Sequence, residues 1–228
     1  MAKNPLLNPT PRVDRYAGCT CAVEGCSRLT RPMSRFCTLH HQRVRRTRHP
    51  TGFLPTRQDL APFKALARVA LEEWGYGDKP AVIAAETYLQ RLVAEPGNVP
   101  PRYAAHFRRL HLSGVTGRQM LLELLAVYGL RFVGHPDSMH YSDSTFWCCL
   151  GSRFLRTAPM GNKRPDWFTG KGSDQYRPSG TTCEVFGNAI AAKLGAMPIL
   201  LWRSIDAEQR RRLREELEIR DALEAHPL

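Results

Sequence analysis

Residues 116–129, TGRQMLLELLAVYG, decide the fold class. Thr116 and Gln119 form a capping box, in which the Thr hydroxyl and the side chain three residues on each satisfy the other's free backbone N–H. Behind that start signal, Met120 to Tyr128 is apolar on almost every face. A helix that is apolar all round has to be surrounded by other elements. The expectation is a mostly α protein with this helix at its centre, ending at Gly129.

The flanks carry helical periodicity in both directions. In 59–74, DLAPFKALARVALEEW, apolar residues fall at 63, 66, 67, 70, 71 and 74, one face of a helix. Asp59 is its expected N-cap and Gly75 its stop. A second helix is expected from Pro80 to about Val93, between Asp78 and Pro96-Gly97. A third starts at Pro100-Pro101 with Tyr103, Phe107 and Leu110 on one face. Beyond the central helix, 130–142 reads as a loop around His135-Pro136. A fifth helix, about 143–156, buries Phe146, Leu150 and Phe154, with Cys148 and Cys149 as small core residues. Residues 157–181 are rich in Gly, Pro and Lys, and apolar periodicity returns over 183–202. The last helix, about 206–225, is rich in i,i+4 ion pairs and has a narrow apolar seam at Leu213 and Leu217. There is no internal repeat, strand signals are weak, and no helix-length apolar pattern precedes residue 59.

The organisation that follows is a flexible arm over 1–17, a basic zinc-binding module over 18–58, and a multi-helix domain over 59–228. That last domain carries a long Gly/Pro/basic loop at about 157–181.

The module is defined by four cysteines crowded at 19, 21, 26 and 37 and a His pair at 40 and 41. Seven cysteines in total, an odd number, and no signal-like start argue against a disulfide framework. Zinc takes four thiolate or imidazole ligands in a tetrahedron. Cys21-x4-Cys26-x10-Cys37-x2-His40 offers them: a knuckle closed by Gly25, a returning loop, and two ligands on one turn. A segment this short cannot bury a core, so one structural Zn²⁺ would supply its folding energy. Cys19 lies too close to Cys21 for an easy pair, and His41 stands beside His40 as the alternative at that end.

Charge is concentrated in the same region. The chain has 33 basic and 21 acidic residues, a net of +12. Residues 1–58 hold eleven basic and two acidic side chains, a net of +9. Between Ser27 and Gln58 there is no acid, while Arg28, Arg31, Arg35, Arg43, Arg45, Arg46 and Arg48 cluster around the ligands. A metal-fixed arginine surface suits phosphates, and its binding would depend steeply on salt. Nucleic acid is the expected partner, DNA ahead of RNA.

The segment CAVEGCSRLTRPMSRFCTLHHQRVRRTRHPTG, 21–52, resembles a short zinc motif scattered through phage and mobile-element proteins, often beside HNH homing-endonuclease domains. The resemblance implies Cys21, Cys26, Cys37 and His40 as ligands and a DNA-binding context. It does not extend past that segment.

Catalysis finds little support. An HNH nuclease needs a His base and a metal-binding His/Asn pair, and His40-His41 is already claimed by zinc. His135-Pro-Asp137-Ser-Met-His140 could chelate a cation, but it sits in a polar loop between helices, and capping and turn roles for Asp137 and Asp143 are the commoner explanation. Gly170-Lys171-Gly172 is not a phosphate-binding P-loop. The Leu112-Ser-Gly114 junction has helix-turn-helix spacing, but MLLELLAVY is too apolar to lie in a groove. Lys163, Arg164, Lys171 and Arg177 around Trp167, Phe168 and Tyr176 mix cations with stacking faces, as single-strand binders do; equally, the aromatics would pack this loop onto the helical domain.

The expectation is therefore a non-catalytic, zinc-containing nucleic-acid-binding accessory protein of a phage, plasmid or transposon. A protein partner, or self-association, would engage the helical domain. The alternative is a subunit of a larger nucleoprotein machine with the zinc module as a docking knob; a metal-dependent nuclease comes third. No run approaches the ~20 apolar residues a membrane helix needs, so a cytoplasmic location without membrane is expected.

Overall fold

The computed structural model describes residues 19–30, 34–94, 101–133, 142–158 and 178–225. Among them the fold is mostly α, with eight helices: α1 (Thr38–Thr47), α2 (Arg57–Glu72), α3 (Pro80–Ala94), α4 (Pro101–Leu112), α5 (Gly117–Phe132), α6 (Asp143–Arg156), α7 (Gly180–Leu194) and α8 (Met197–Ala225). The one piece of extended pairing described is an isolated antiparallel bridge between Thr20 and Leu29.

α5 is the hub. The Thr116–Gln119 capping box is formed as the sequence predicts. Ten of its residues, including Met120, Leu121, Leu124 and Leu125, are buried, and it packs against α2, α3, α6 and α8. Gly129 does not end it; the helix runs on to Phe132. Gly129 serves packing instead, because the Trp202 indole of α8 occupies the space a Cβ would take. That ring donates its Nε1–H to Leu125 O at 2.8 Å and meets Phe63 of α2 edge-on.

α2 begins two residues before the expected Asp59. Thr56 is the N-cap and Asp59 is the third helical residue of a capping box. Pro62 lies inside this helix but faces water, so the backbone acceptor it leaves can be solvated. The helix that closes the chain starts at Met197 rather than near 206. Gly195 (φ 56°) ends α7, and Pro198 sits in the first turn of α8, where a missing N–H costs nothing. Likewise α7 begins at Gly180, because Ser179 accepts from Thr182 N–H and caps it.

α1 has no counterpart in the apolar periodicity. It buries only His40 and Thr47, too few and too polar to register as an amphipathic pattern. It holds its place through α6 and α7. Thr145 Oγ1 donates to Thr47 O at 3.2 Å, and the Gly180 backbone lies directly against the carbonyls of Arg45 and Arg46. α6 and α7 are themselves antiparallel and in near-backbone contact, Gly151 facing Cys183 and Gly187 facing Trp147. No single helix among the described residues is long and apolar enough to cross a membrane.

Candidate metal centre

The local fold of 19–40 is dictated by backbone hydrogen bonds around a tight turn. Thr30 N–H donates to Cys19 O and Cys21 N–H to Arg28 O, both at 2.9 Å, pairing the two arms of the knuckle. Cys26 N–H returns to Val23 O at 3.0 Å, and Gly25 makes that turn at φ 73°, a conformation a side chain would strain. Ala22 N–H reaches Arg35 O at 2.9 Å and ties the second half of the loop to the first. Cys37 then stands at the N-cap of α1, so His40 follows on the first helical turn.

Together these elements bring Cys21, Cys26, Cys37 and His40 into one group, with candidate ligand atoms all within 4.8 Å of one another. Cys21 Sγ lies 3.2 Å and Cys37 Sγ 3.5 Å from His40 Nδ1. The Cys37 backbone N–H points at Cys21 Sγ at 3.4 Å. Cys21, Cys37 and His40 are buried and Cys26 is half-buried. This Cys3His group could hold a metal ion. Cys19, exposed, and His41 lie outside it.

The electrostatics suit an electron-rich cluster. The backbone N–H of His40 at the start of α1 is the main influence lowering the Cys37 thiol from its ordinary value, with burial working against it. Burial holds the His40 imidazole below its usual value, and the charges of Arg43 and Arg28 add to the effect. Those two arginines therefore sit close enough for their fields to reach the cluster.

The other arginines distribute unevenly. Arg28 and Arg35 are exposed on the knuckle and returning loop, Arg45 and Arg46 are exposed on α1, and Arg43 is half-buried. Arg48 is tied down: its Nε donates to Glu184 Oε2 of α7 at 2.9 Å, and its own backbone adopts φ 63° as the C-cap of α1. Arg31 lies outside the described residues, as do His135, Asp137, His140 and the Trp167, Phe168 and Tyr176 cluster. The arm over 1–17 does too.

α5 lies in the core, as the apolar composition that argued against a groove-reading helix implied. What the linear pattern missed is a second group of cations, Arg57, Lys64, Arg153 and Arg156, which line one cavity although they are spread over 100 positions of chain. No spacing rule links them, since the tertiary fold alone joins α2 to α6.

No protein-family model matches the chain, and comparisons with curated proteins and with solved structures return no match.

Proposed function

We propose that the Cys3His group holds one structural Zn²⁺, and that the metal fixes an arginine surface which grips nucleic acid. The donor set supports the metal. A tetrahedron with metal–sulfur bonds of ~2.3 Å and metal–nitrogen bonds of ~2.0 Å has edges of roughly 3.5–3.8 Å, close to the sulfur–nitrogen separations here. Three thiolates and one imidazole fill the coordination sphere and leave no position for substrate, which makes the role structural. An N–H aimed at a ligand sulfur, as from Cys37 to Cys21, orients the thiolate and disperses its charge.

The observation that carries the nucleic-acid reading is the placement of Arg28, Arg35, Arg43, Arg45 and Arg46 on the short elements that bear the ligands, with no acid from Ser27 to Gln58. The metal sets the knuckle against α1, and α1 is set against α6 and α7. The cations are thereby pre-positioned, which limits the side-chain and loop ordering that binding costs. In this reading the protein is a non-catalytic accessory factor, DNA its first target, and phages, plasmids or transposons its context.

Binding of a fluorescent duplex measured against salt tests it. Removing 1–58 would strip α1 from α6 and α7, so substitution is the cleaner perturbation. Arg45→Gln/Arg46→Gln should flatten the slope of log K against log salt by about 1.8, at ~0.9 for each phosphate no longer neutralised. An unchanged slope and affinity would sink the proposal.

A protein partner for the helical part is the second reading. α8 leaves the core after Ile205 and holds Leu213, Leu217 and Ile219 in solvent. Sedimentation of the full chain, alone and with host lysate fractions, addresses it.

A further inference from the structure

α8 runs for 29 residues, about 43 Å of helix at 1.5 Å per residue. The body holds its first half. Leu201, Trp202 and Ile205 are buried, and the Arg212 guanidinium lies over the Trp74 ring at 4.8 Å. From Arg210 to Asp221 every residue is exposed. Ion pairs along the helix keep this stretch helical in water: Arg210 with Asp206 at 2.6 Å, Arg212 with Glu208 at 2.8 Å, and Arg211 bridging Glu208 and Glu215.

Two patterns run along the exposed stretch. Leu213 and Leu217, 51% and 47% exposed, stand one turn apart and form a short apolar seam. At about 100° per residue, Leu213 lies roughly 80° round the helix from the buried Ile205, so the seam is turned away from the body. Arg210, Arg214, Glu218 and Asp221 follow at i, i+4, i+8 and i+11, a stripe along the outer flank of that seam. Its order is two cations and then two anions. Glu218 and Asp221 enter no ion pair with another described residue, and Arg214 donates only to the Arg210 carbonyl. The same order holds for the whole stretch. Residues 210–214 carry four arginines and no acid, while 215–221 carry four acids against Arg220.

A partner for this face needs leucines at the seam and the reverse order of charge on the flank. α8 turned end for end has both. A two-fold axis at the level of Glu215 sets Leu213 against Leu217 of the second copy, and Leu217 against its Leu213. On the flank, Arg214 then lies within about 3 Å, along the axis, of the level of Glu218 of the second copy, and Arg210 within about 1.5 Å of the level of its Asp221. The axis repeats each pair, so the contact is isologous and closes as a dimer. Parallel pairing would instead bring the arginines of 210–214 to the level of their own copies. A polyanion would meet the two acids of the same stripe.

We propose that α8 pairs antiparallel with α8 of a second copy of this chain, through Leu213 and Leu217, with Arg210 and Arg214 set against Asp221 and Glu218 of that copy. This rests on the reading that the helical part engages a protein partner, and it names that partner as the chain itself. The seam is short, so the dimer belongs to the weak, concentration-dependent class.

The test is sedimentation equilibrium of the full-length, metal-loaded protein at up to about 300 µM, where a weak interface registers. Wild type should show a monomer–dimer equilibrium that shifts toward monomer as salt rises, because the flanking pairs are exposed. Leu213→Asp/Leu217→Asp should be monomeric and keep the wild-type melting temperature, since both leucines stand in solvent. Arg210→Glu/Arg214→Glu makes the stripe wholly acidic, and Glu218→Arg/Asp221→Arg makes it wholly basic. Each alone should dimerise at least about tenfold more weakly, because four cross-pairs turn from attraction to repulsion. An equimolar mixture of the two should recover the dimer as a heterodimer, which a helix frayed by the substitutions would not do; circular dichroism of each variant reports fraying directly. The proposal is overturned if the mixture stays monomeric, if both charge variants dimerise like wild type, or if Leu213→Asp/Leu217→Asp still dimerises. Loss of duplex binding by Arg210→Glu/Arg214→Glu with sedimentation unchanged would make the stripe a nucleic-acid contact and overturn the pairing. A monomeric wild type also overturns it, but not the wider reading of a protein partner. That reading fails separately, if Leu213→Asp/Leu217→Asp behaves as wild type does with host fractions.

Discussion

Alanine at Gly151 or Gly187 is the sharpest test of how α6 and α7 form the platform under α1. In an open helical position, Gly→Ala stabilises by about 1 kcal/mol, because alanine loses less backbone entropy. Here the sign should reverse. A Cβ built on Gly151 would lie 2.9 Å from Cys183 Cα and closer still to its carbonyl, and one on Gly187 would stand in the same relation to Trp147. These obstacles are backbone atoms, which cannot rotate away. The helices would have to separate by a sizeable fraction of an ångström, and packed interiors lose much of their dispersion energy at such gaps. Overpacking of this kind costs about 1–3 kcal/mol, and a backbone obstacle places each site toward the upper end. After the propensity gain, each variant should be about 1–2 kcal/mol less stable, a drop of roughly 2–8 °C in Tm for a chain of this size. The double variant should fall short of the sum, because one widening of the crossing relieves both clashes. Thermal melts with urea titration of the three variants measure this. A rise in Tm for either single variant, or strict additivity of the two, would refute the close crossing.

The remaining predictions concern the site and its surroundings. Purified protein should carry one zinc per chain; Cys37→Ser should abolish it and lower helicity, while Cys19→Ser should leave the stoichiometry intact. Elemental analysis and circular dichroism decide it, and a full zinc complement in Cys37→Ser would exclude the proposed ligand set. Arg48→Gln should cost no more than about 1 kcal/mol, since its ion pair with the half-buried Glu184 is open to solvent on the Arg48 side; a larger loss in urea melts would show that the α1–α7 packing depends on it. Burial, aided by the charge of Arg109, pushes His106 down to about 4 from an unfolded value near 6.5. A lowered imidazole favours the neutral form in the fold, so its contribution is present above pH 6.5 and disappears as pH falls toward 4. The stability difference between wild type and His106→Gln should therefore shrink over that window, and a constant difference would contradict the burial.

Several features were legible in the chain because they depend on local rules. The capping box at Thr116 and Gln119, the buried character of 120–128 and the helices at 80–94 and 143–156 follow from cap chemistry and apolar period alone. The Cys3His group was legible for a related reason. A knuckle with glycine at the turn and a Cys-x2-His step each fix two donors through geometry within a few residues, and only the closure of the loop between them is nonlocal.

Other features needed the tertiary structure. α1 buries only His40 and Thr47, so its helical state shows in its packing on α6 and α7 and not in its periodicity. Gly129 looks like a stop in sequence, yet Trp202, 73 positions later, requires the missing Cβ in mid-helix. Arg48 reads as one more cation in a basic run until Glu184 of α7 is placed beside it. The cationic cavity gathers Arg57, Lys64, Arg153 and Arg156 from two helices that the sequence keeps far apart. By itself the sequence determined the helical class, the capped start of α5, and the grouping of Cys21, Cys26, Cys37 and His40, because each rests on hydrogen bonds or spacings that are mostly local. The tertiary structure alone decided which glycines serve packing, which arginines are tied down, and where distant charges converge, because those depend on packing between helices that no local period encodes.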